Sequence, residues 1–141
     1  MIDEIAHIAI AVASLDEALP FYRDALGLSL QTIEEVPSQK VRVAVLKVGS
    51  SHFELLEPTS PDSPIAKFLE KRGPGLHHVA LTTSHLAERL KDFEEKAIPL
   101  IDKAPRPGAE GKEIAFIHPK ASGGVLLELC AEPSPGGEEQ R

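Results

Sequence analysis

The hexapeptide HIAIAV at residues 7–12 returns 71 positions later as HVALTT at 78–83. The same step carries Leu15 to Leu86, Glu17 to Glu88, Leu19 to Leu90, and VAVL at 43–46 to IAFI at 114–117. Further on, SSHFELLEP at 50–58 is echoed by GGVLLELCAEP at 123–133, where Glu54 corresponds to Glu128 and the step has grown by three residues. Self-similarity at a fixed period restricts a chain to architectures assembled from similar units. With 141 residues, 42% of them hydrophobic, there is enough apolar material for two small modules sharing a core without covalent staples.

Each half reads as a strand, a helix and then several strands. In the first half IAHIAIAV alternates as a strand does, and SLDEALPFYRDALG is a helix that opens on Ser14 and Glu17 as a capping box and stops at Gly27. Pro20 falls inside that helix, where it removes a backbone donor and should kink the axis. Three strands follow, LSLQTIEE, VRVAVLKV and SHFELLE. The second half repeats the plan as HVALTT, a helix from about Ser84 to Lys96, then IPLID, EIAFIHP and VLLELC. Between them a short helix is expected, with Ser63 as cap, Pro64 at its first position and Gly73 past its end. The expected organisation is an α+β fold with a first βαβββ module at 1–58, a linker at 59–75, a second module at 76–132 and a disordered tail at 133–141. The two modules together make one domain.

Charge and composition exclude several function classes. A net charge of −7 with no lysine or arginine cluster argues against a general nucleic-acid binder, since phosphate contacts need a basic face. No apolar run approaches the roughly 20 residues that span a bilayer, and the first residues lack a basic, then apolar, leader pattern. A single cysteine, Cys130, leaves no intrachain disulfide and suits a reducing compartment, so a cytoplasmic location is expected.

Strand alternation then sorts the ionisable residues. His7, Ala9 and Ala11 share one face of the first strand, and His78, Ala80 and Thr82 share one face of its repeat. The bulky residues Ile8, Ile10 and Val12 leave by the other side, which helices must cover. By the same parity His77 points towards the helix layer as a partly buried, hydrogen-bonded histidine. Glu54 and Glu128 stand among apolar residues on strands that should be central, and an unpaired carboxylate there would lose several kcal/mol to desolvation. A cation meets that cost. Two modules paired about a pseudo-twofold axis, each lending one imidazole and one carboxylate, would place His7, Glu54, His78 and Glu128 around one point. Such a set suits a borderline divalent ion (Co, Ni, Zn, Fe or Mn) with positions open to substrate.

On these residues the chain resembles the vicinal oxygen chelate superfamily. Through DSPIAKFLEKRG, GLHHVAL, RPGAEGKEIAFIHPK and GGVLLEL it is similar to the methylmalonyl-CoA epimerase family within it, over roughly residues 4–130. The resemblance implies a curved, partly open eight-stranded mixed sheet with helices on its outer face, one divalent ion with cobalt preferred, and a homodimer. It also implies interconversion of the 2R and 2S forms of an acyl-CoA thioester through an enolate. Inversion needs one group to remove the α-proton and another to return it on the opposite side, and Glu128 and Glu54 are the expected pair. In some members of the family glutamine matches Glu54 and a separate glutamate on the preceding strand is the second base. Here that position is Val43.

Coenzyme A carries phosphates, so local positive charge is expected at Arg106, Lys112 and Lys120, with Gln39 in a loop leading towards the substrate carboxylate. His52, His85 and His118 read as rim, surface or loop residues, and Cys130 as a structural thiol. Two other activities fit the same framework. A glyoxalase I-type isomerase would use the same quartet on a hemithioacetal, although no glutathione site is evident. A ligand-sequestering protein of the resistance type would not need all four residues in register.

Overall fold

The computed structural model describes residues 2–133; most of the expected tail, residues 134–141, lies outside the described residues. Eight strands form one mixed sheet: β1 (Ile2–Ala11), β2 (Ser29–Val36), β3 (Val41–Val48), β4 (Ser51–Pro58), β5 (Gly75–Thr83), β6 (Arg106–Pro107), β7 (Glu113–Ile117) and β8 (Leu127–Ala131). Their order is β2-β3-β4-β1-β5-β8-β7-β6. Three α-helices accompany them: α1 (Leu15–Leu19), α2 (Pro64–Arg72) and α3 (Leu86–Glu95). No helix among the described residues is long and apolar enough to cross a membrane.

Residues 6–78 form one compact unit, and the described residues on either side of it form the other. In the first of these, β1 runs parallel to β4 with Ala9 opposite Glu54, while β3 is antiparallel to both β2 and β4. Ile10, Val12, Ala44, Leu46 and Leu55 leave one side of these strands and close over Leu15 and Leu19 of α1. The second unit repeats this arrangement. β5 runs parallel to β8 with Ala80 opposite Glu128, and β7 is antiparallel to β8. Ala115, Ile117 and Leu129 pack against Leu86 and Leu90 of α3. In both units, then, the helix covers one face of the sheet, and the ionisable side chains leave by the other.

Pro20 does not simply kink its helix. The backbone widens into a π-helix over Pro20–Ala25, with the Leu26 amide donating to the Phe21 carbonyl at 2.8 Å. A proline ring crowds the carbonyl four residues back, and a wider turn accommodates it. The cap at Ser14 forms as expected, its hydroxyl accepting from the Glu17 amide.

Two expectations for the second half need correction. IPLID is not a strand. Only Leu100 forms a single bridge, to Ile117, and the amides of Ile101 and Asp102 both converge on the Phe116 carbonyl. Pro99 has no amide to offer a ladder, and the edge strand is displaced to the two residues of β6. The third helix begins at Leu86 instead of Ser84, because His85 takes a left-handed conformation (φ 55°) just before it.

The linker helix α2 follows its sequence signals. Ser63, fully buried, accepts from the Ile65 amide at 3.1 Å, Pro64 takes the first position, and Gly73 ends the helix at a positive φ of 74°. Ser63→Ala removes the cap and leaves that amide unsatisfied. It is expected to cost about 1 kcal/mol, seen as a lowered urea midpoint with an unchanged slope.

Candidate active site

The exposed-edge pattern of most polar residues stops abruptly at β1, β4, β5 and β8. Among the described residues the buried ionisable side chains are His7, Glu54, His78 and Glu128, between 3% and 8% exposed. They are four of the residues that the internal repeat singles out.

Three of them meet within the unit of residues 6–78. Glu54 Oε2 lies 3.2 Å from His7 Nδ1. The Nε2 atoms of His7 and His78 face each other at 3.3 Å, the rings edge to face. The chain of contacts then continues to a residue that alternation had assigned to the helix layer. His77 Nδ1 is 2.8 Å from His78 Nδ1, and the His77 ring stands edge to face on Phe68 of α2, with centroids 5.0 Å apart. The order is therefore Glu54, His7, His78, His77. Strand parity could not reveal the last link, since it places neighbouring side chains on opposite faces. The adjacent histidines in the sequence were the only signal.

This order constrains the rings. A carboxylate beside His7 Nδ1 favours the proton on that nitrogen and leaves Nε2 with its lone pair directed at His78. The surroundings are apolar. Val45 lies opposite Glu54 across β3 and β4, and Val43, two residues away on the same face, is 2% exposed. Val43 brings no carboxylate to this face. His52, opposite His7 on β4, is partly buried at the margin of this face.

Glu128 belongs to the other unit. β8 holds it between Ala80 on β5 and Phe116 on β7, at 3% exposure. Ala80 is two residues beyond His78 along the continuous strand β5 and shares its face.

The expected substrate contacts are dispersed. Gln39 sits in a 3-10 turn, Pro37–Gln39, ahead of β3, and Lys120 in a second such turn, Pro119–Ala121, where its amide donates to His118 Nδ1. Lys112 is paired with Glu132 at 3.1 Å. Burial draws its pKa down, but the hydrogen bond and charge of Glu132, with Glu110 and Cys130, outweigh this and hold it above the ordinary lysine value. It lines a cavity of about 600 Å³ with Thr82, His85 and Cys130. Arg106 lies over the ring of Phe116.

Comparison with known proteins places this fold in a family. Residues 6–116 match the family model for the Glyoxalase/Bleomycin resistance protein/Dioxygenase superfamily. The ethylmalonyl-CoA/methylmalonyl-CoA epimerase of Cereibacter sphaeroides is 38% identical over 92% of this chain and 98% of its own. The chain belongs to the methylmalonyl-CoA epimerase family of that superfamily. A variant of the Streptomyces coelicolor methylmalonyl-CoA epimerase, solved with 2-nitronate-propionyl-CoA, superposes with a TM-score of 0.90 at 37% identity over 95% of this chain and 97% of that one. An uncharacterized protein of Bacillus subtilis, YqjC, is 46% identical over 97% of this chain and 96% of its own.

The contact order within residues 6–78 has a spectroscopic consequence. In His77→Ala the ring nitrogens of His78, and one step further those of His7, are expected to shift in long-range nitrogen–proton correlation spectra. Those of His85 and His118 should stay in place. Unmoved signals at His78 would show that the two neighbouring rings are not coupled.

Proposed function

We propose that the protein interconverts the 2R and 2S forms of methylmalonyl-CoA, removing a proton from the α-carbon and returning one, with a divalent ion whose ligands include the facing imidazoles of His7 and His78. The observation that carries this reading is the facing pair of Nε2 atoms, 3.3 Å apart on buried imidazoles. Two nitrogen ligands at the usual 2.0–2.1 Å from one ion stand roughly 2.8–3.4 Å apart when their angle lies between square and tetrahedral. The donor set therefore fits a divalent ion, and cobalt is the one the resemblance implies. Bound there, such an ion supplies positive charge beside the thioester oxygen as negative charge develops on it.

The chain's own residues carry the remaining work. Glu54, beside His7 Nδ1, keeps that ring's proton away from Nε2. Inversion of a carbon centre needs two proton-handling groups on opposite sides of it. Glu54 and Glu128 are the buried carboxylates among the described residues, and they stand on strands that correspond in the repeat. We assign them the roles of base and acid, with Glu54 taking the place of the glutamate that Val43 replaces.

Two measurements test the reading. In heavy water, with cobalt added, the protein should exchange the α-proton of methylmalonyl-CoA, and Glu128→Gln or Glu54→Gln should lower that rate by about 10² to 10⁴. Absence of exchange in the unaltered protein ends the epimerase reading. Competition titration with a chromophoric chelator should show one cobalt per chain, with His78→Ala losing that stoichiometry while keeping the native circular dichroism spectrum. A hemithioacetal isomerase would bind metal but leave methylmalonyl-CoA unexchanged, whereas a sequestering protein would do neither.

A further inference from the structure

We infer that Arg106 is the specificity determinant for an anionic group of the substrate, acting through a guanidinium that the fold has aimed in advance; this rests on the acyl-CoA reading above. Arg106 pairs with Ile114 across β6 and β7, and Ile114 pairs with Cys130 across β7 and β8. Phe116, two residues along from Ile114, pairs with Glu128. Paired residues share a face, so Arg106, Phe116 and Glu128 all leave the same side of these strands.

The guanidinium is fixed from two directions. Its carbon lies 5.5 Å from the centroid of the Phe116 ring, within cation–π range. Its Nε, buried, meets Asp102 Oδ1 at 3.2 Å as an ion pair without an aligned hydrogen bond. Asp102 is itself immobilised, since its Oδ2 accepts from the Phe116 amide at 2.8 Å. This brace explains the irregular course of residues 100–102: the chain there gives up a regular ladder and uses Asp102 to hold both Phe116 and Arg106.

Beyond Asp102 and the Phe116 ring, Arg106 has no partner among the described residues. Its side chain is one-third exposed. A guanidinium that is oriented but not saturated presents a planar fork suited to a carboxylate or phosphate. Its position narrows the choice of site. Phe116 and Glu128 are cross-strand neighbours about 5 Å apart, so an anionic oxygen over Phe116 is close to a carbon that Glu128 serves. Lys112 and Lys120 do not compete for this role: Lys112 is spent on Glu132, and Lys120 lies in the turn after β7. The shared chemistry is an anionic oxygen group of an acyl-CoA, either the acyl carboxylate or a phosphate of the coenzyme.

The test measures α-proton exchange with the cobalt-loaded protein and its Arg106→Gln, Arg106→Lys and Asp102→Asn variants. Arg106→Gln is expected to raise KM for methylmalonyl-CoA at least tenfold while kcat changes less than threefold. Arg106→Lys should recover part of the loss, and Asp102→Asn should show a smaller rise in KM in the same direction. With the methylmalonyl thioester of N-acetylcysteamine, which lacks phosphate, a persistent KM effect assigns the acyl carboxylate and its disappearance assigns the coenzyme phosphates. An unchanged KM for both substrates in Arg106→Gln overturns the inference. Failure of the unaltered protein to exchange either substrate instead overturns the epimerase reading on which it rests.

Discussion

Burying ionisable groups in an apolar sheet is the constraint on which the rest of this structure depends. A carboxylate or a pair of imidazoles taken out of water loses several kcal/mol unless each polar atom finds a partner. In residues 6–78 the cost is met by a continuous sequence of contacts from Glu54 through His7 and His78 to His77. The His7 and His78 rings each use both of their nitrogens. Such an arrangement specifies rotamers and tautomers together, which a looser cluster of the same residues would not do.

The surrounding sheet makes that arrangement possible by segregating volume. On β1, Ile10 and Val12 go to the α1 side with Ala44, Leu46 and Leu55, while Ala9 and Ala11 share the face of His7 and Glu54. In the other unit Ala115, Ile117 and Leu129 pack against α3, while Ala80 stands opposite Glu128. Small residues beside His7 and His78 leave room for the rings to approach edge to face, and a leucine or isoleucine at Ala9 or Ala80 would fill it. The helices therefore contribute to the site indirectly, by drawing large side chains to the opposite face.

The irregular segments are organised around the same end. Pro20 widens its helix by one residue per turn without disturbing Leu15 or Leu19, the side chains that pack on the sheet. The segment expected as the strand IPLID gives up ladder pairing so that Asp102 can bind the Phe116 amide and approach Arg106. Here local propensity favours a strand, but Pro99 and the counter-charge that Asp102 supplies to Arg106 decide otherwise.

Much of the molecule is legible in its sequence because the duplication repeats the same physical problem twice. His7 matches His78 and Glu54 matches Glu128 at corresponding strand positions, and alternation of period two shows which of their neighbours share a face. The caps at Ser14 and Ser63 are equally local, since each depends on a hydroxyl within three residues of the amide it satisfies. The contact of His77 with its neighbour, the counter-charge of Asp102 for Arg106 and the pairing of Lys112 with Glu132 were decided only by the tertiary structure. Side-chain rotation and the approach of distant segments govern these contacts, and neither is encoded in the period of a strand.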